Sequence, residues 1–223
     1  MPPADSPGDR LAALRRLQGE LRACRRCPRM QGPPVHGEAA LSPVLLLGQA
    51  PGRREIQQHR PFCWTAGRTL FGWFSGIGLD EDACRRLVYM SAVCRCWPGG
   101  LARGGDRVPT REEVANCAPW WQRELALVRP RLVLPVGRLA ITRFLAAPRL
   151  DAVVGQQFRV EQEGVAADVI PLPHPSGAST WFRTDPGRLL LPQALALIAA
   201  HPAWQEIVSA CMQAAPGNAP NPG

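Results

Sequence analysis

The chain has 223 residues, 46% of them hydrophobic, which is enough for one globular domain with a buried core. Its formal net charge is +8, and all of its basic residues are arginines because the sequence contains no lysine. No stretch approaches about 18 uninterrupted apolar residues, and the N-terminal stretch lacks an apolar signal region. These features argue against a membrane span and a secretory leader, so we expect a cytoplasmic protein.

The two ends of the chain lack hydrophobic periodicity and are rich in proline, glycine and alanine. We therefore expect disordered tails over residues 1–8 and 214–223, on either side of a single domain over residues 9–213. Just inside the first tail, leucines at helical spacing predict a helix over residues 11–24.

Beyond this helix, short apolar runs alternate with helical patterns. Thr110 and Glu113 form a capping-box signature for a helix that starts near Thr110. Strands are predicted over 44–47, 87–93, 132–136, 158–162 and 167–172, and helices over 66–74, 110–128, 138–145 and 189–200. This alternation predicts an α/β layered sheet, in which functional sites form at the carboxyl ends of the strands. The loops GQAPG (48–52) and PHPSG (173–177) both follow predicted strands.

The cysteines indicate a metal site. Cys24 and Cys27 form a C-x2-C pair after the first helix, Cys96 follows a strand, and Cys117 lies in a helix. Four such thiolates suit tetrahedral zinc or a [4Fe–4S] cluster, although a C-x2-C pair alone also occurs in redox motifs. Cys94 has no partner at ligand spacing, and we interpret it as a buried free thiol.

The charge favours a polyanionic partner. Arginine carries a planar guanidinium group that binds phosphate through two parallel hydrogen bonds. Compositional drift toward arginine would produce the same charge, so the charge alone leaves both interpretations open.

A series of motifs resembles the uracil-DNA glycosylase superfamily, and in particular its iron–sulfur branches, families 4 and 5. The motifs occur in the expected order between about Cys24 and about Ala200. They read GQAPGRRE, IQQHRPF and CWTAG, then VYMSAVCRCWPG, VPTREEVANCAPWWQREL, RPRLVLPVGRLA and HPSGAS. The resemblance implies a three-layer α/β/α sandwich with a central, mostly parallel four-stranded sheet.

The resemblance also implies a role for individual residues. His174 matches the histidine that stabilises the departing base, Glu55 a carboxylate important for activity, and Phe62 the aromatic that stacks on a flipped base. Further base-binding positions are Gln49, Ala50 and Ala92, and implied DNA contacts are Pro51, Gly52, Ser176, Gly177 and Ser179. The implied cofactor is a [4Fe–4S] cluster on Cys24, Cys27, Cys96 and Cys117.

Two positions depart from the family pattern. Family 4 typically has an asparagine, which reads the uracil edge, four residues before the strand-end cluster cysteine; that position is Ala92 here. An alanine cannot make the paired contact that rejects cytosine, so the preferred base is left open. The acidic pair that follows the first loop in family 4 is Glu55-Ile56 here.

Two classes of function follow from the resemblance. The first is a monofunctional, monomeric, nucleoid-associated DNA glycosylase that removes uracil or another deaminated base with activated water. A lyase step is not expected, because no lysine is present to form a Schiff base. The second is a catalytically weakened iron–sulfur module that binds DNA or senses damage, which Ala92 and Ile56 favour. A zinc protein of the same fold is a third interpretation.

Overall fold

The computed structural model describes residues 6–102, 104–146, 149–177 and 179–214. Its α-helices are α1 (Pro7–Arg22), α2 (Arg53–Gln58), α3 (Thr65–Ser75), α4 (Glu81–Leu87), α5 (Arg111–Val128), α6 (Arg138–Ile141), α7 (Gly187–Ala200) and α8 (Pro202–Ala214). Its strands are β1 (Val44–Gly48), β2 (Tyr89–Ala92), β3 (Leu132–Pro135), β4 (Phe158–Gln162) and β5 (Val165–Val169). None of the helices in these ranges is both long and apolar enough to cross a membrane.

The strands form one sheet in the order β2-β1-β3-β5-β4. The first four of these are parallel, and β4 runs antiparallel to β5 at the edge. The expectation of a mostly parallel sheet is confirmed, but the sheet has five strands instead of four. The additional strand arises because Glu163 and Gly164 both have positive φ, the geometry of a tight two-residue hairpin that returns the chain alongside itself.

Helices cover both faces of the sheet, which confirms the three-layer sandwich. Along β1, Val44 and Leu46 pack into one core cluster, whereas Leu45 and Leu47 pack into the other. This alternation is the period-2 pattern of a strand buried on both faces. Trp204 of α8 lies in the first cluster. The second cluster receives side chains from α1 and α5, two helices that pack against each other.

Several element boundaries differ from the predicted ones. The first helix begins at Pro7, inside the expected tail, because the Ser6 side chain caps it by accepting a hydrogen bond from the Asp9 N–H (3.1 Å). At α5 the capping box is confirmed, because the Thr110 N–H donates to the Glu113 carboxylate and the Glu113 N–H donates to the Thr110 hydroxyl. The helix α8 was not predicted, and α6 ends at Ile141. Most of the tails expected over residues 1–8 and 214–223 falls on residues 1–5 and 215–223, which lie outside the described residues.

Candidate active site and metal centre

A cavity of about 690 Å³ opens at the carboxyl ends of β1 and β2. Its volume is in the range of small-molecule pockets, which matches a site for one base and its sugar. Its lining includes all but one of the predicted catalytic, base-binding and DNA-contact residues, namely Gln49, Ala50, Pro51, Gly52, Glu55, Phe62, Ala92, His174, Ser176 and Ser179. The remaining residue, Gly177, is exposed beside them. The structure therefore brings together loops that are far apart in the sequence.

His174 presents a hydrogen-bond donor to this cavity. Its Nδ1 accepts a hydrogen bond from the backbone N–H of Ser176 (3.2 Å), which assigns the proton of the neutral ring to Nε2. Burial lowers the pKa of His174, although the negative charge of Asp106 acts in the opposite direction. A neutral imidazole with a proton on Nε2 is the form that can donate to an anionic oxygen.

The loop after β3 makes room for two side chains of the site. Gly137 has φ of 84°, and a Cβ atom at this position would lie 2.9 Å from the amide carbon of Gln49 and 3.0 Å from Cδ2 of His174. The Gln49 Oε1 accepts a hydrogen bond from the backbone N–H of Leu139 (3.1 Å). With its oxygen engaged in this way, the Gln49 amide has its N–H groups left to donate.

Phe62 is held in a backbone conformation that is uncommon for a bulky residue. Its φ is 52°, in the left-handed region. Its N–H donates to Oε1 of Glu55, and its carbonyl accepts from Nη2 of Arg85 (3.0 Å). A Cβ atom on Gly48 would lie 3.0 Å from the ring, and one on Gly67 would lie 1.7 Å from the Phe62 carbonyl oxygen. Strain that is maintained by so many contacts is typical of functional sites.

Glu55 uses both of its carboxylate oxygens on the backbone. Its Oε2 accepts from the N–H of Gly52 (2.6 Å), and its Oε1 accepts from the N–H of Phe62. Burial raises the pKa of Glu55, and these two hydrogen bonds oppose that shift. The carboxylate therefore ties the first loop of the cavity to the aromatic side chain.

Sequence reasoning missed two residues of this cavity, Trp64 and Asp106. The Trp64 side chain is 49% exposed, and the guanidinium groups of Arg54 and Arg68 lie 5.0 and 5.8 Å from its ring centroid. Such an arrangement joins an aromatic face to positive charge, as in sites that bind single-stranded nucleic acid. Trp64 lies in the CWTAG motif, to which the resemblance gave no role for this residue, and Asp106 lies between two motifs, where the sequence offered no signal.

A second cavity, of about 260 Å³, is lined by the predicted metal ligands Cys24, Cys27, Cys96 and Cys117. The first two follow α1, the third follows β2 and the last belongs to α5, so the cavity joins three segments. Burial and then the neighbouring thiols raise the pKa of Cys96 to about 12. A cationic group among the sulfurs would offset both effects, which fits thiolate ligation.

The four thiols can be compared with the two metal groups that such ligands hold, a zinc ion and an iron–sulfur cluster. Among the described residues, no group of three or more His, Cys, Asp or Glu side chains is placed to hold one metal ion. Four sulfurs around a single zinc would each lie about 2.3 Å from it, whereas a cluster spans a wider space. The donor set of four thiols in one cavity fits an iron–sulfur cluster and also fits a zinc ion.

A buried ion pair lies between the two cavities. Arg95 lines both of them, and its side chain is 1% exposed. Its guanidinium donates to Oε1 of Glu124 in α5 and to Oγ of Ser91 in β2 (2.7 Å). Ser91 in turn donates to Oε2 of Glu124 (2.6 Å). This network joins the strand that bears Ala92 to the helix that bears Cys117.

Ile56, which occupies the position of a family acid, packs against the loop that follows Cys27. A Cβ atom on Gly32 would lie 2.6 Å from Cδ1 of Ile56. Gly32 has φ of 76° and lines the cysteine cavity. The side chain at position 56 thus connects α2 to the metal-site loop by apolar packing.

The class of this protein follows from its sequence, because the family model of the uracil DNA glycosylase superfamily matches residues 34–196. The chain belongs to this superfamily. It is 31% identical to the type-4 uracil-DNA glycosylase of Archaeoglobus fulgidus, over 70% of this chain and 78% of the relative. It is 28% identical to that of Pyrobaculum aerophilum, over 73% of this chain and 83% of the relative. It is also 32% identical to the type-5 uracil-DNA glycosylase of Thermus thermophilus, over 46% of this chain and 49% of the relative.

Proposed function

We propose that this protein is a monofunctional DNA glycosylase that hydrolyses the N-glycosidic bond of uracil or another deaminated base. The observation that carries this proposal is the placement of His174 and Phe62 in one cavity, the first as a donor and the second as a rigidly held aromatic. The superfamily membership and the names of the type-4 relatives support the same activity.

The reaction requires the base to leave the duplex, which costs a few kcal/mol. Stacking on Phe62 recovers about 1–3 kcal/mol of this cost. As the bond from the sugar to the base breaks, negative charge develops on a pyrimidine oxygen. The Nε2–H of His174 donates to this oxygen, and the N–H groups of Gln49 are a second source of donors. Water then completes the hydrolysis at the sugar.

The rim of the cavity binds the DNA strand on either side of the flipped base. Ser176, Gly177 and Ser179 lie at one side, where hydroxyl and backbone N–H groups reach phosphates. Pro51 and Gly52 lie in the first loop, and Trp64 with its arginines stands nearby. The exposed arginines supply the sequence-independent part of the affinity.

The four thiols of the second cavity hold a [4Fe–4S] cluster in this proposal. When bound, the cluster supplies covalent cross-links between the segment after α1, the end of β2 and α5, and it takes no part in the hydrolysis. Cys24, Cys27, Cys96 and Cys117 act as thiolates there, which their mutual proximity supports.

Replacing Cys96 with serine should remove the cluster, whereas replacing Cys94 with serine should retain it. Cys94 is fully buried in the core and outside the lining of the metal cavity. Visible absorbance and iron content of anaerobically purified protein measure the outcome. A colourless Cys94→Ser protein together with a brown Cys96→Ser protein would show that Cys94, and not Cys96, is the ligand. Stoichiometric zinc in the wild-type protein would show that the site holds a zinc ion and not a cluster.

Base release from DNA that carries uracil, hypoxanthine, xanthine or ethenocytosine tests the function directly. Release of at least one of these bases from single- or double-stranded DNA is the expected result. DNA binding without any release would contradict the proposal and identify a binding or sensing module instead.

The Ala92→Asn variant should favour uracil over the other bases by about tenfold. The new amide can donate to and accept from the uracil edge, and two net hydrogen bonds of about 0.5–1.5 kcal/mol account for that ratio. Ala92→Val fills the same space without polar atoms and is the matched control. Equal selectivity in the two variants would show that position 92 does not face the edge of the base.

A further inference from the structure

Hydrolysis of the glycosidic bond builds positive charge on the sugar, and a nearby carboxylate oxygen stabilises that charge. This inference rests on the proposed function and concerns which residue supplies the oxygen. Glu55 is the residue that the family resemblance indicates, but its two oxygens already accept hydrogen bonds from the Gly52 and Phe62 backbones. Glu55 therefore uses its carboxylate to hold two backbone segments of the protein together.

Asp106 is a second carboxylate on the same cavity. Its Oδ1 accepts a hydrogen bond from the indole N–H of Trp97 (2.6 Å), which fixes the plane of the carboxylate. Its Oδ2 lies 3.4 Å from the position that a Cβ atom on Gly52 would occupy, directly beside the first loop. Within the described residues, this oxygen has no side-chain or backbone donor at hydrogen-bond distance.

The loop that carries Asp106 is anchored on both sides. The backbone N–H of Leu101 donates to the carbonyl of Gly105 (2.9 Å), and that of Arg107 donates to the carbonyl of Gly99 (2.9 Å). The guanidinium of Arg107, a residue that also lines the cavity, forms a two-pronged pair with Glu113 (2.6 and 2.7 Å). Arg107 is thus paired with Glu113, so among the described residues of this loop it does not neutralise the charge of Asp106.

Asp106 is close to the other groups of the site. Its negative charge acts to raise the pKa of His174 and that of Glu55, in each case after the larger effect of burial. It therefore lies on the cavity wall, within electrostatic range of both Glu55 and His174. It is exposed in the free protein, and DNA bound over the mouth would exclude water and strengthen its electrostatic interaction with the sugar.

We propose that Asp106 is the catalytic carboxylate of this enzyme and that Glu55 is a positioning residue. The bond between the sugar C1′ and the base nitrogen breaks, and its electron pair leaves with the base as an anion. Oδ2 of Asp106 stabilises the cationic sugar and accepts a proton from the water whose oxygen bonds to C1′. The departing anion takes a proton from solvent, and Asp106 releases to solvent the proton that it accepted from the water, so the carboxylate is restored and the hydrolysis balances.

The test compares Asp106→Asn with Glu55→Gln in two measurements on the full-length protein. In single-turnover base release, Asp106→Asn should lower the maximal rate by about 10²-fold with little change in the half-saturating protein concentration. The second measurement is the affinity for duplex DNA with a cationic pyrrolidine abasic site relative to a neutral tetrahydrofuran site. Asp106→Asn should lower this preference about tenfold.

A purely structural role would lower both affinities together, which is the result expected for Glu55→Gln. Asp106→Glu keeps the charge and should retain part of the preference for the cationic site. Asp82→Asn, an exposed carboxylate on α4 outside the cavity, is the matched control and should match the wild type.

An Asp106→Asn protein with the wild-type rate and the wild-type preference would overturn the assignment, as would loss of the cationic preference in Glu55→Gln alone. A wild-type protein that releases no base would defeat the proposed function, and that result is separate. Even if no base is released, the affinity for the cationic abasic site relative to the neutral one measures the negative charge that faces the sugar.

Discussion

Replacing His174 with alanine is expected to lower the rate of base release by about 10²–10³-fold, the usual cost of losing one preorganised donor to a developing anion. The effect belongs to the chemical step, because the Nε2–H strengthens its hydrogen bond as charge moves onto the base oxygen. Affinity for DNA with a neutral abasic site should stay close to that of the wild type. Single-turnover release from uracil-containing DNA, with binding measured in parallel, separates the two effects.

His59→Ala is the matched control for this variant. His59 ends α2 with φ of 50°, is exposed, and is absent from the lining of the described cavity. Its substitution should leave base release unchanged. Loss of activity in both variants to the same degree, or full activity in His174→Ala, would contradict the role of the donor.

Replacing Glu124 with glutamine is expected to destabilise the fold by about 3–5 kcal/mol, because it leaves the Arg95 guanidinium buried without its counter-charge. Arg95 is 1% exposed and Glu124 is 0% exposed, so solvent cannot compensate. The free energy of unfolding in urea, measured on protein with a constant metal content, gives the magnitude. Base release should fall as well, since Arg95 and Ser91, which line the cavity, are held by the network that Glu124 completes.

The surface pair of Arg131 and Glu206 provides the comparison, because both side chains are more than half exposed. Glu206→Gln should cost about 0–1 kcal/mol. If Glu124→Gln costs no more than this, the buried network is not a stabilising link between β2 and α5. A double replacement of Arg95 and Glu124 by apolar residues should be milder than the single change, since it leaves no unpaired charge.

The sequence predicted the strands and helices of the layers because the patterns that indicate them lie within short stretches of the chain. Alternating apolar runs gave the parallel strands, and the Thr110–Glu113 spacing gave the start of α5. The resemblance added the identity of the cavity residues, since the motifs retain their order. The apolar runs also predicted both strands of the hairpin, over 158–162 and 167–172, whereas the resemblance implied a four-stranded sheet; the tight turn at Glu163 and Gly164 that adds the fifth, edge strand has no strong turn signature.

The different roles of the carboxylates Glu55 and Asp106 could not be predicted from the sequence either. A motif assigns Glu55 to a site, but only the fold shows that its oxygens both meet backbone N–H groups. Asp106 lies about fifty residues away in a glycine-rich loop, and its approach to Gly52 depends on tertiary packing. The ion pair of Arg95 with Glu124 is hidden for the same reason, since the partners lie on separate elements.

The contact of Ile56 with Gly32 restricts which residues the chain can accept at either position. The side chain of Ile56 occupies the space in which any Cβ at position 32 would lie, and the positive φ of Gly32 adds strain to every other residue there. A mutation at position 32 alone is therefore unfavourable while isoleucine remains at 56. Substitutions at these two sites are therefore coupled, and an acid at position 56 would require a differently packed loop beside the cysteine cavity.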